Sequence, residues 1–229
     1  METEVRDRRA TWGTFEWPDF EELFEARLAL EDFSDATMLD LGTGEGRLAL
    51  HLAARAGRVV GIDTDEESLA AARERARELG ISNATFLPAD ADTANYRLLV
   101  RSPIDYVVAN HFMSDAAVRN SAEALRPTGR LLFACHYRDH WIESGRVGHF
   151  SYTEEAMHDL LVRSGLSPLF LGVERLVVAY QDMRELEEAH PELAAKFRAD
   201  GRWDALAGKY GAGAVQLTWA TLVGVAAKP

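Results

Sequence analysis

Cysteine and long apolar runs are both scarce in this sequence. Its one cysteine, Cys135, excludes an internal disulfide and a cysteine-based metal cluster, and the apolar residues before it predict a buried strand position. No run approaches the roughly 18 apolar residues of a membrane helix, and the first residues lack the apolar stretch of a secretory signal. These absences predict a cytoplasmic protein without a membrane partner.

Positive charge is also in short supply. The 229 residues include 25 lysines and arginines against 37 aspartates and glutamates, which gives a formal net charge of −12 at pH 7. Because this charge repels phosphate backbones, affinity for DNA or RNA should be poor. The charge balance therefore disfavours nucleic acid as a partner and favours a small molecule.

The overall composition is that of an ordinary globular protein. Hydrophobic residues make up 47% of the chain and charged residues 27%, and 229 residues lie within the usual range for one domain. The chain has no internal repeat and no Ser/Pro-rich linker. We therefore predict a single domain over residues 1–229.

Two helical segments are predicted near the ends of this domain. The N-terminal arm, 1–33, should contain an amphipathic helix over 16–33, because four apolar residues follow helical spacing there: Phe20, Leu23, Phe24 and Leu28. A helical insertion is predicted over 182–209, before the last strand. Either a lid over a ligand or a dimer contact would suit this insertion, and a homodimer stays open.

Apolar runs and helical segments alternate through the rest of the chain. Strands separated by helices imply a parallel sheet with helices on both sides, because parallel neighbours need crossover connections. The predicted fold class is therefore α/β. The predicted strands cover 37–41, 58–63, 84–87, 105–109, 131–135, 168–180 and 214–227.

The most informative segment is 38–46, Met-Leu-Asp-Leu-Gly-Thr-Gly-Glu-Gly. Gly42, Gly44 and Gly46 lie between a predicted strand and a predicted helix, where they let the backbone approach a ligand closely. Asp63 ends the next predicted strand, 21 positions after Gly42, where an open α/β sheet offers a carboxylate to ribose hydroxyls. The pair of features predicts a nucleoside ligand.

The spacing of the glycines and an acid before them discriminate between nucleosides. A nicotinamide or flavin site usually reads G-x-G-x-x-G, whereas here the glycines alternate and Arg47 follows them. Asp40 would place a negative charge near a pyrophosphate, but it suits a ligand that carries an amino group and a sulfonium. Cationic S-adenosylmethionine fits better than a dinucleotide.

From about residue 37 to the end, the sequence resembles the class I S-adenosylmethionine-dependent methyltransferases. The resemblance implies a Rossmann-like fold with a mostly parallel seven-stranded sheet, an antiparallel last strand and helices on both faces. S-adenosylmethionine would be the cofactor and S-adenosylhomocysteine the product. The implied cofactor-binding residues are Asp40, Gly42, Gly44, Gly46, Asp63, Thr64, Asp90, Ala91 and Asn110.

In the resemblance, each implied residue matches a motif of the family. Asp40 would lie near the methionine amino group, Asp63 would hold the ribose and Thr64 would border the adenine. Asp90 and the backbone N–H of Ala91 would meet the adenine rim, with Asp92 as a competing candidate for Asp90. Asn110, at the end of the 105–109 strand, would face the methionine moiety.

One departure from the superfamily bears on the acceptor. Members that methylate exocyclic amines of bases or glutamine amides typically carry Asn/Asp-Pro-Pro-Tyr/Phe after this strand, whereas residues 110–113 read Asn-His-Phe-Met. Base or glutamine N-methylation by that route is disfavoured. The favoured function is methyl transfer to an O, N or C nucleophile of a small-molecule acceptor.

Histidines are the candidates for proton transfer, because imidazole titrates near neutral pH. His111, directly after the 105–109 strand, is the predicted catalytic residue, and His136 is its alternative; each also fits a hydrogen-bonded loop residue. A set of His136, Asp139, His140 and His149 would suit a divalent ion, but its spacing is not diagnostic, and no metal site is predicted.

Other functions stay open beside the favoured one. The chain would also fit an RNA or protein methyltransferase that relies on a partner, or a non-catalytic S-adenosylmethionine-binding regulatory or assembly module. An NAD-dependent oxidoreductase is disfavoured by the glycine spacing. Acceptor pockets are built from loops without a shared motif, so the acceptor itself is not readable from the sequence.

Overall fold

The computed structural model describes residues 1–14, 20–148 and 150–229. Within these residues the strands are β1 (Glu2–Thr11), β2 (Thr37–Leu41), β3 (Arg58–Asp63), β4 (Ala84–Pro88), β5 (Ile104–Asn110), β6 (Leu125–His136), β7 (Ser167–Tyr180) and β8 (Val215–Ala227). The helices are α1 (Glu22–Leu28), α2 (Arg47–Ala53), α3 (Glu66–Glu78), α4 (Tyr96–Val100), α5 (Asp115–Ala124), α6 (Glu154–Arg163), α7 (Met183–Ala189), α8 (Pro191–Asp200) and α9 (Arg202–Tyr210). No helix among the described residues is long and apolar enough to span a membrane.

One sheet organises the described residues, with the strand order β1-β7-β8-β6-β5-β2-β3-β4. Only β8 is antiparallel to its neighbours, β6 and β7; every other adjacent pair is parallel. The prediction of a mostly parallel α/β sheet with an antiparallel last strand is confirmed. The predicted count of seven strands is wrong, because the described chain forms eight.

The eighth strand comes from the N-terminal arm. β1 pairs with β7 in parallel, from Glu2 opposite Phe170 to Thr11 opposite Ala179. The prediction of a helical arm over 1–33 is therefore wrong for 2–11, and helix α1 begins only at Glu22. The reason is that β1 is a charged edge strand: its sequence, ETEVRDRRAT, has no apolar alternation to reveal it, although charges are common on sheet edges.

The helices bury apolar side chains against both faces of the sheet. On one face α1, α2 and α3 pack over the central strands; on the other, α4, α5 and α6 do so. Strands covered on both faces read as continuous apolar runs, which is why β2, β3 and β5 were recognisable from the sequence. The same layering places the carboxyl ends of these strands at one edge of the sheet.

Two strands project beyond that edge. β6 ends at His136, opposite Thr221 of β8, but the pairing of β7 with β8 continues to Tyr180 opposite Val215. Helices α7, α8 and α9 lie where the insertion was predicted and cover this projection. A separate apolar cluster holds them there, formed by Leu176, Val178, Tyr180, Leu186, Phe197, Leu206, Val215 and Leu217. The insertion therefore stands beside the edge at which β2, β5 and β6 end.

Candidate functional site

A cavity of about 300 Å³ lies at the carboxyl ends of β2 and β5, and we refer to it as the glycine-loop cavity. Its lining includes Asp40, Gly42, Thr43, Asn110 and His111. The strand register brings these residues together, because Asp40 of β2 lies opposite Val108 of β5. Predicted residues about 70 positions apart in the sequence therefore share one cavity.

Backbone geometry explains two of the glycines in the loop. Gly44 has φ +52°, in the left-handed region, and a Cβ there would meet no atom within 4 Å, so the loop is open at this point. Gly46 has φ +80°, and a Cβ there would lie 2.9 Å from the ring of Phe86. Gly46 is thus required for packing of the loop on the sheet, whereas Gly44 leaves a concave backbone free for a ligand.

Asp40 is a buried carboxyl group beside this loop. Its exposed fraction is 1%, and its Oδ2 accepts a hydrogen bond of 2.6 Å from the Thr43 hydroxyl. Burial, with a smaller contribution from the nearby Asp63, raises the pKa of Asp40 from 3.8 to about 7 against the opposing effect of hydrogen bonds from Thr43 and the Ala49 backbone. A cation bound in the glycine-loop cavity would offset the cost of ionising this buried carboxyl group.

Asp63 supports the loop as well as facing the edge of the sheet. Its Oδ2 accepts from the backbone N–H of Gly44 at 2.8 Å, and its Oδ1 accepts from the N–H of Asp65 at 3.0 Å. Thr64, next to it, is exposed. The loop therefore fixes the Asp63 carboxylate in place. The carboxylate would in turn help to present the loop to a ribose.

The candidates for the adenine rim lie next to Asp63, because Asp63 is opposite Pro88 in the pairing of β3 with β4. Asp90 is exposed and Ala91 is buried. The carboxylate of Asp92 accepts a hydrogen bond from the Ser114 hydroxyl, the cap residue of α5. Asp90 is engaged too, because its Oδ1 accepts from the N–H of Asp92 at 2.8 Å, so Asp90 and Asp92 both stay candidates.

Asn110 and His111 end β5 at the glycine-loop cavity. The Oδ1 atom of Asn110 is buried and has no hydrogen-bond partner among the described residues. His111 has φ +57°, and its N–H donates to the Ala134 carbonyl at 2.7 Å, which holds the turn. The bond to Ala134 fixes the backbone of His111, while the Asn110 oxygen is available to a ligand.

The His111 ring is paired with a carboxylate that the sequence did not point to. Its Nε2 lies 3.2 Å from Oε1 of Glu21, the residue before α1, and the same oxygen accepts from the Thr221 hydroxyl at 3.0 Å. Glu21 was predicted only as part of an amphipathic helix. No spacing signal connects it with a residue 90 positions later.

His111 also lines two further cavities. The first, the inner cavity, measures about 340 Å³ and includes Glu21, His136, His140 and Trp141 in its lining. The second, which we call the basic cavity, measures about 440 Å³. The lining of the basic cavity is formed by His111, Phe112, Met113, His136, His140, Trp141, Arg146, Val147, Gly148, Phe150, Ser151, Lys196, Asp200 and Arg202.

His136 differs electrostatically from His111. Burial lowers the pKa of His136 to about 4, and the neighbouring His111 and Lys196 lower it too. Its ring stacks on His140 with centroids 4.0 Å apart. His136 is therefore neutral near pH 7 and a weak base, which makes His111 the better candidate for proton transfer.

Among the described residues, no group of three or more His, Cys, Asp or Glu side chains could hold a metal ion. Of the alternative set, His149 lies outside the described residues, and Asp139 pairs with Arg175 at 3.3 Å. The predicted absence of a metal site stays a prediction.

The glycine-loop cavity fits S-adenosylmethionine. The open backbone at Gly44 leaves room for it, Asp40 is a buried acid that a cation would relieve, and Asn110 offers an unpaired oxygen to an ammonium group. The cofactor roles of individual residues stay predictions.

Comparison with known proteins decides the family. The methyltransferase domain family matches residues 32–164, more than half of the chain. The chain belongs to this methyltransferase family. The matched range contains the glycine loop, β5 and β6, and it ends before β7, the insertion and β8.

Two curated relatives show how far the likeness extends. The chain is 40% identical over 93 residues to the release factor glutamine methyltransferase of Vibrio cholerae, covering 38% of this chain and 32% of that protein. It is 38% identical over 108 residues to the ribosomal protein L11 methyltransferase of Azotobacter vinelandii, covering 44% and 34%. This methyltransferase chain thus spans about a third of the length of these curated relatives.

The fold is shared over a much longer stretch. The crystal structure of the YcgJ protein from Bacillus subtilis has a TM-score of 0.67 at 16% identity, and the match covers 90% of this chain and 97% of that one. The predicted family, a class I S-adenosylmethionine-dependent methyltransferase, and its Rossmann-like fold are confirmed.

Proposed function

We propose that this methyltransferase chain transfers the methyl group of S-adenosylmethionine to a small-molecule acceptor, and that residues 1–229 act as one domain. One observation carries the proposal: His111 lies at the junction of the glycine-loop cavity and two further cavities of about 340 and 440 Å³. Cavities of this size are typical of small-molecule sites. The cofactor would occupy the first cavity and the acceptor one of the others.

The insertion supports a small acceptor. Lys196 and Asp200 of α8 and Arg202 of α9 line the basic cavity, so the helices that follow the family's matched range form part of its wall. A wall on that side separates the acceptor from water, which aids a displacement reaction. The insertion therefore acts as a cover for the acceptor rather than as a dimer contact.

Macromolecular acceptors have less support. The relatives' names refer to a release factor and a ribosomal protein, but each match covers only about a third of those proteins. Residues 110–113, Asn-His-Phe-Met, lack the Pro-Pro pair typical of enzymes that methylate amides or base amines. The net charge of −12 further disfavours RNA.

The residues of the site would perform the reaction mainly by alignment. When bound, S-adenosylmethionine supplies a methyl group activated by its sulfonium. In the transfer, the nucleophile–carbon bond forms as the carbon–sulfur bond breaks and its electron pair returns to sulfur. Asp40 and Asn110 would hold the methionine end, and Asp63 the ribose. Holding the nucleophile in line with carbon and sulfur supplies much of the rate enhancement.

A base is needed only where the nucleophile carries a proton. Because Nε2 of His111 faces Glu21 at 3.2 Å, Nδ1 is the nitrogen left to take that proton. Glu21 would fix the ring and stabilise the imidazolium. Glu21 is thus proposed as a positioning residue and His111 as the base.

The test has a binding arm and a transfer arm. Calorimetry should show one S-adenosylhomocysteine per chain and no heat with NADH; the reverse result would refute the cofactor assignment. In the transfer arm, labelled methyl groups from S-adenosylmethionine are followed in a cell extract separated into a fraction below about 1 kDa and macromolecular fractions. Label in the small fraction supports the proposal, and label confined to protein or RNA would refute it. The Asp63→Ala variant, in which cofactor binding should be weaker, is the matched control for both arms.

A further inference from the structure

The charge of the basic cavity opposes that of the whole protein. Arg146, Lys196 and Arg202 line it, and Asp200 is the one acidic side chain in its lining. Asp200 is already engaged, because its Oδ2 lies 2.7 Å from Nη2 of Arg202. Among the described residues neither Arg146 nor Lys196 forms an ion pair, so two positive charges face this cavity in a chain of net charge −12.

The charge of Lys196 acts on the floor of the basic cavity. Its Nζ lies 5.9 Å from the ring centre of Trp141. The same ammonium contributes to lowering the pKa values of His136 and His140, which shows that its field reaches the two stacked imidazoles. Glu21, beside His111, acts on His136 in the opposite direction, and Asp200 in the lining is paired with Arg202. An anion bound between Lys196 and these rings would be attracted by the lysine at the rim.

His140, on the floor of the basic cavity, has a buried ring nitrogen without a partner. His140 is 6% exposed, and its Nδ1 lies 3.0 Å from the Ala220 nitrogen and 3.1 Å from the Ala220 carbonyl oxygen. Its Nε2 is buried and has no hydrogen-bond partner among the described residues. Nε2 is a donor when Nδ1 accepts from the Ala220 N–H, and an acceptor when Nδ1 donates to the Ala220 carbonyl. In both tautomers a buried nitrogen of this kind needs a partner atom.

A donor lies beside this nitrogen. The Nε1–H of Trp141 is buried and likewise unpaired within the part of the chain that the structure describes. Trp141 and His140 are neighbours in the lining, with ring centres 4.3 Å apart. The indole N–H on the floor and the cations at the rim, with one neutralised acid, complement a group that only accepts hydrogen bonds.

The size of the cavity suits a small molecule. The rings of His136 and His140 stack on each other with their planes within 7°, and the Trp141 ring stands at 50° to the His140 ring. The cavity volume of about 440 Å³ suits one small ring compound.

We infer that the methyl acceptor is a small molecule that carries an anionic oxygen group, a carboxylate or a phosphate, and binds in the basic cavity between Lys196 and the His140–Trp141 floor. The identification of the bound molecule as the methyl acceptor rests on the proposed function. The binding of the anion itself rests only on the cavity. The anionic group would lie toward the rim cations and donors, and the nucleophile toward His111.

The test compares three probes of one shape on the full chain saturated with S-adenosylhomocysteine. They are 4-hydroxybenzoate, phenyl phosphate and the neutral 4-hydroxybenzamide, each titrated by calorimetry at low salt. We expect at least one anion to bind about tenfold or more tightly than the amide, because a charge-assisted bond is worth at least that factor. The carboxylate and phosphate arms distinguish the two sources of negative charge.

Matched variants assign the preference to the cavity. Lys196→Glu should reduce anion affinity about tenfold or more and leave the amide unchanged. Lys209→Glu makes the same charge change on the same insertion. Both lysines are exposed, but Lys209 does not line the basic cavity, so its effect should stay within about twofold. Trp141→Phe should weaken the anion while keeping a ring in place.

Each outcome has a separate meaning. Equal affinity for the amide and both anions would overturn the inference, as would equal losses in the two lysine variants. S-adenosylhomocysteine binding by every variant shows that the fold is intact. If the parent protein binds an anion in the basic cavity but no S-adenosylhomocysteine, the proposed function fails and the anion site stands. If it binds S-adenosylhomocysteine but no anion, the anion site fails and the proposed function stands.

Discussion

Cofactor binding should be coupled to the ionisation of Asp40. Burial raises the pKa of this carboxyl from 3.8 to about 7 in the ligand-free protein, which corresponds to a cost of about 4 kcal/mol for ionising it in place. The ammonium group that S-adenosylmethionine and S-adenosylhomocysteine share would favour the ionised form if it binds beside Asp40. We therefore expect Asp40 to release a proton when S-adenosylhomocysteine binds below pH 7.

The size of the effect follows from the ionised fraction. With a pKa of about 7, roughly one tenth of Asp40 is ionised at pH 6 and roughly nine tenths at pH 8. If the ligand binds the ionised form, its affinity should rise about tenfold between these pH values. At pH 6, close to one proton should be released per ligand bound.

Calorimetry in pairs of buffers with different ionisation enthalpies measures both quantities. Asp40→Asn keeps the shape and a partner for Thr43 but does not titrate, so its affinity should vary little with pH. His111→Gln removes the histidine of the cavity lining and should keep the slope. Parent affinity that changes less than twofold from pH 6 to pH 8, or an equal slope in Asp40→Asn, would refute the reasoning.

The same shift sets the sign of a stability effect. Because the folded-state pKa of Asp40 lies above its unfolded value of 3.8, the folded protein holds this proton more tightly. The free energy of unfolding of the ligand-free protein should therefore fall, through Asp40, as the pH rises from about 4 to about 7. In urea unfolding, Asp40→Asn should be more stable than the parent at pH 8. This advantage in the free energy of unfolding should be smaller at pH 4.

Three further predictions concern the rest of the site. Asp63→Ala should weaken S-adenosylhomocysteine at least tenfold in calorimetry and, because the Gly44 N–H loses its acceptor, lower the free energy of unfolding by about 1–2 kcal/mol; unchanged affinity would place the ribose elsewhere. His111→Gln should lower turnover about 10²–10⁴-fold with cofactor affinity within about twofold, and undiminished turnover would exclude it as the base. Glu21→Gln should lower turnover less and move the acid limb of the pH–rate profile to lower pH, because the imidazolium loses its carboxylate; an unmoved limb would leave Glu21 with a structural role.

The parallel sheet and the glycine loop were predictable because their signals are local. β2, β3 and β5 are short apolar runs followed by polar residues, and each is followed by a helix. In such units the loops after the strands reach the same edge of the sheet, so Asp40 and Asp63 could be assigned to one edge of the sheet from their positions alone. The alternation of strands and helices in the sequence is enough to place these loops at one edge of the sheet.

The tertiary structure decided what surrounds the cofactor cavity. β1 has no apolar alternation and exists only because β7 offers it an edge. Glu21 contacts His111 although 90 positions of sequence separate them. Helix α8 lines the basic cavity only because β7 and β8 project past β6. The pKa of Asp40 likewise depends on burial, which no spacing reveals. Local patterns specify elements and their order, whereas charge environment and cavity walls arise from contacts between distant segments.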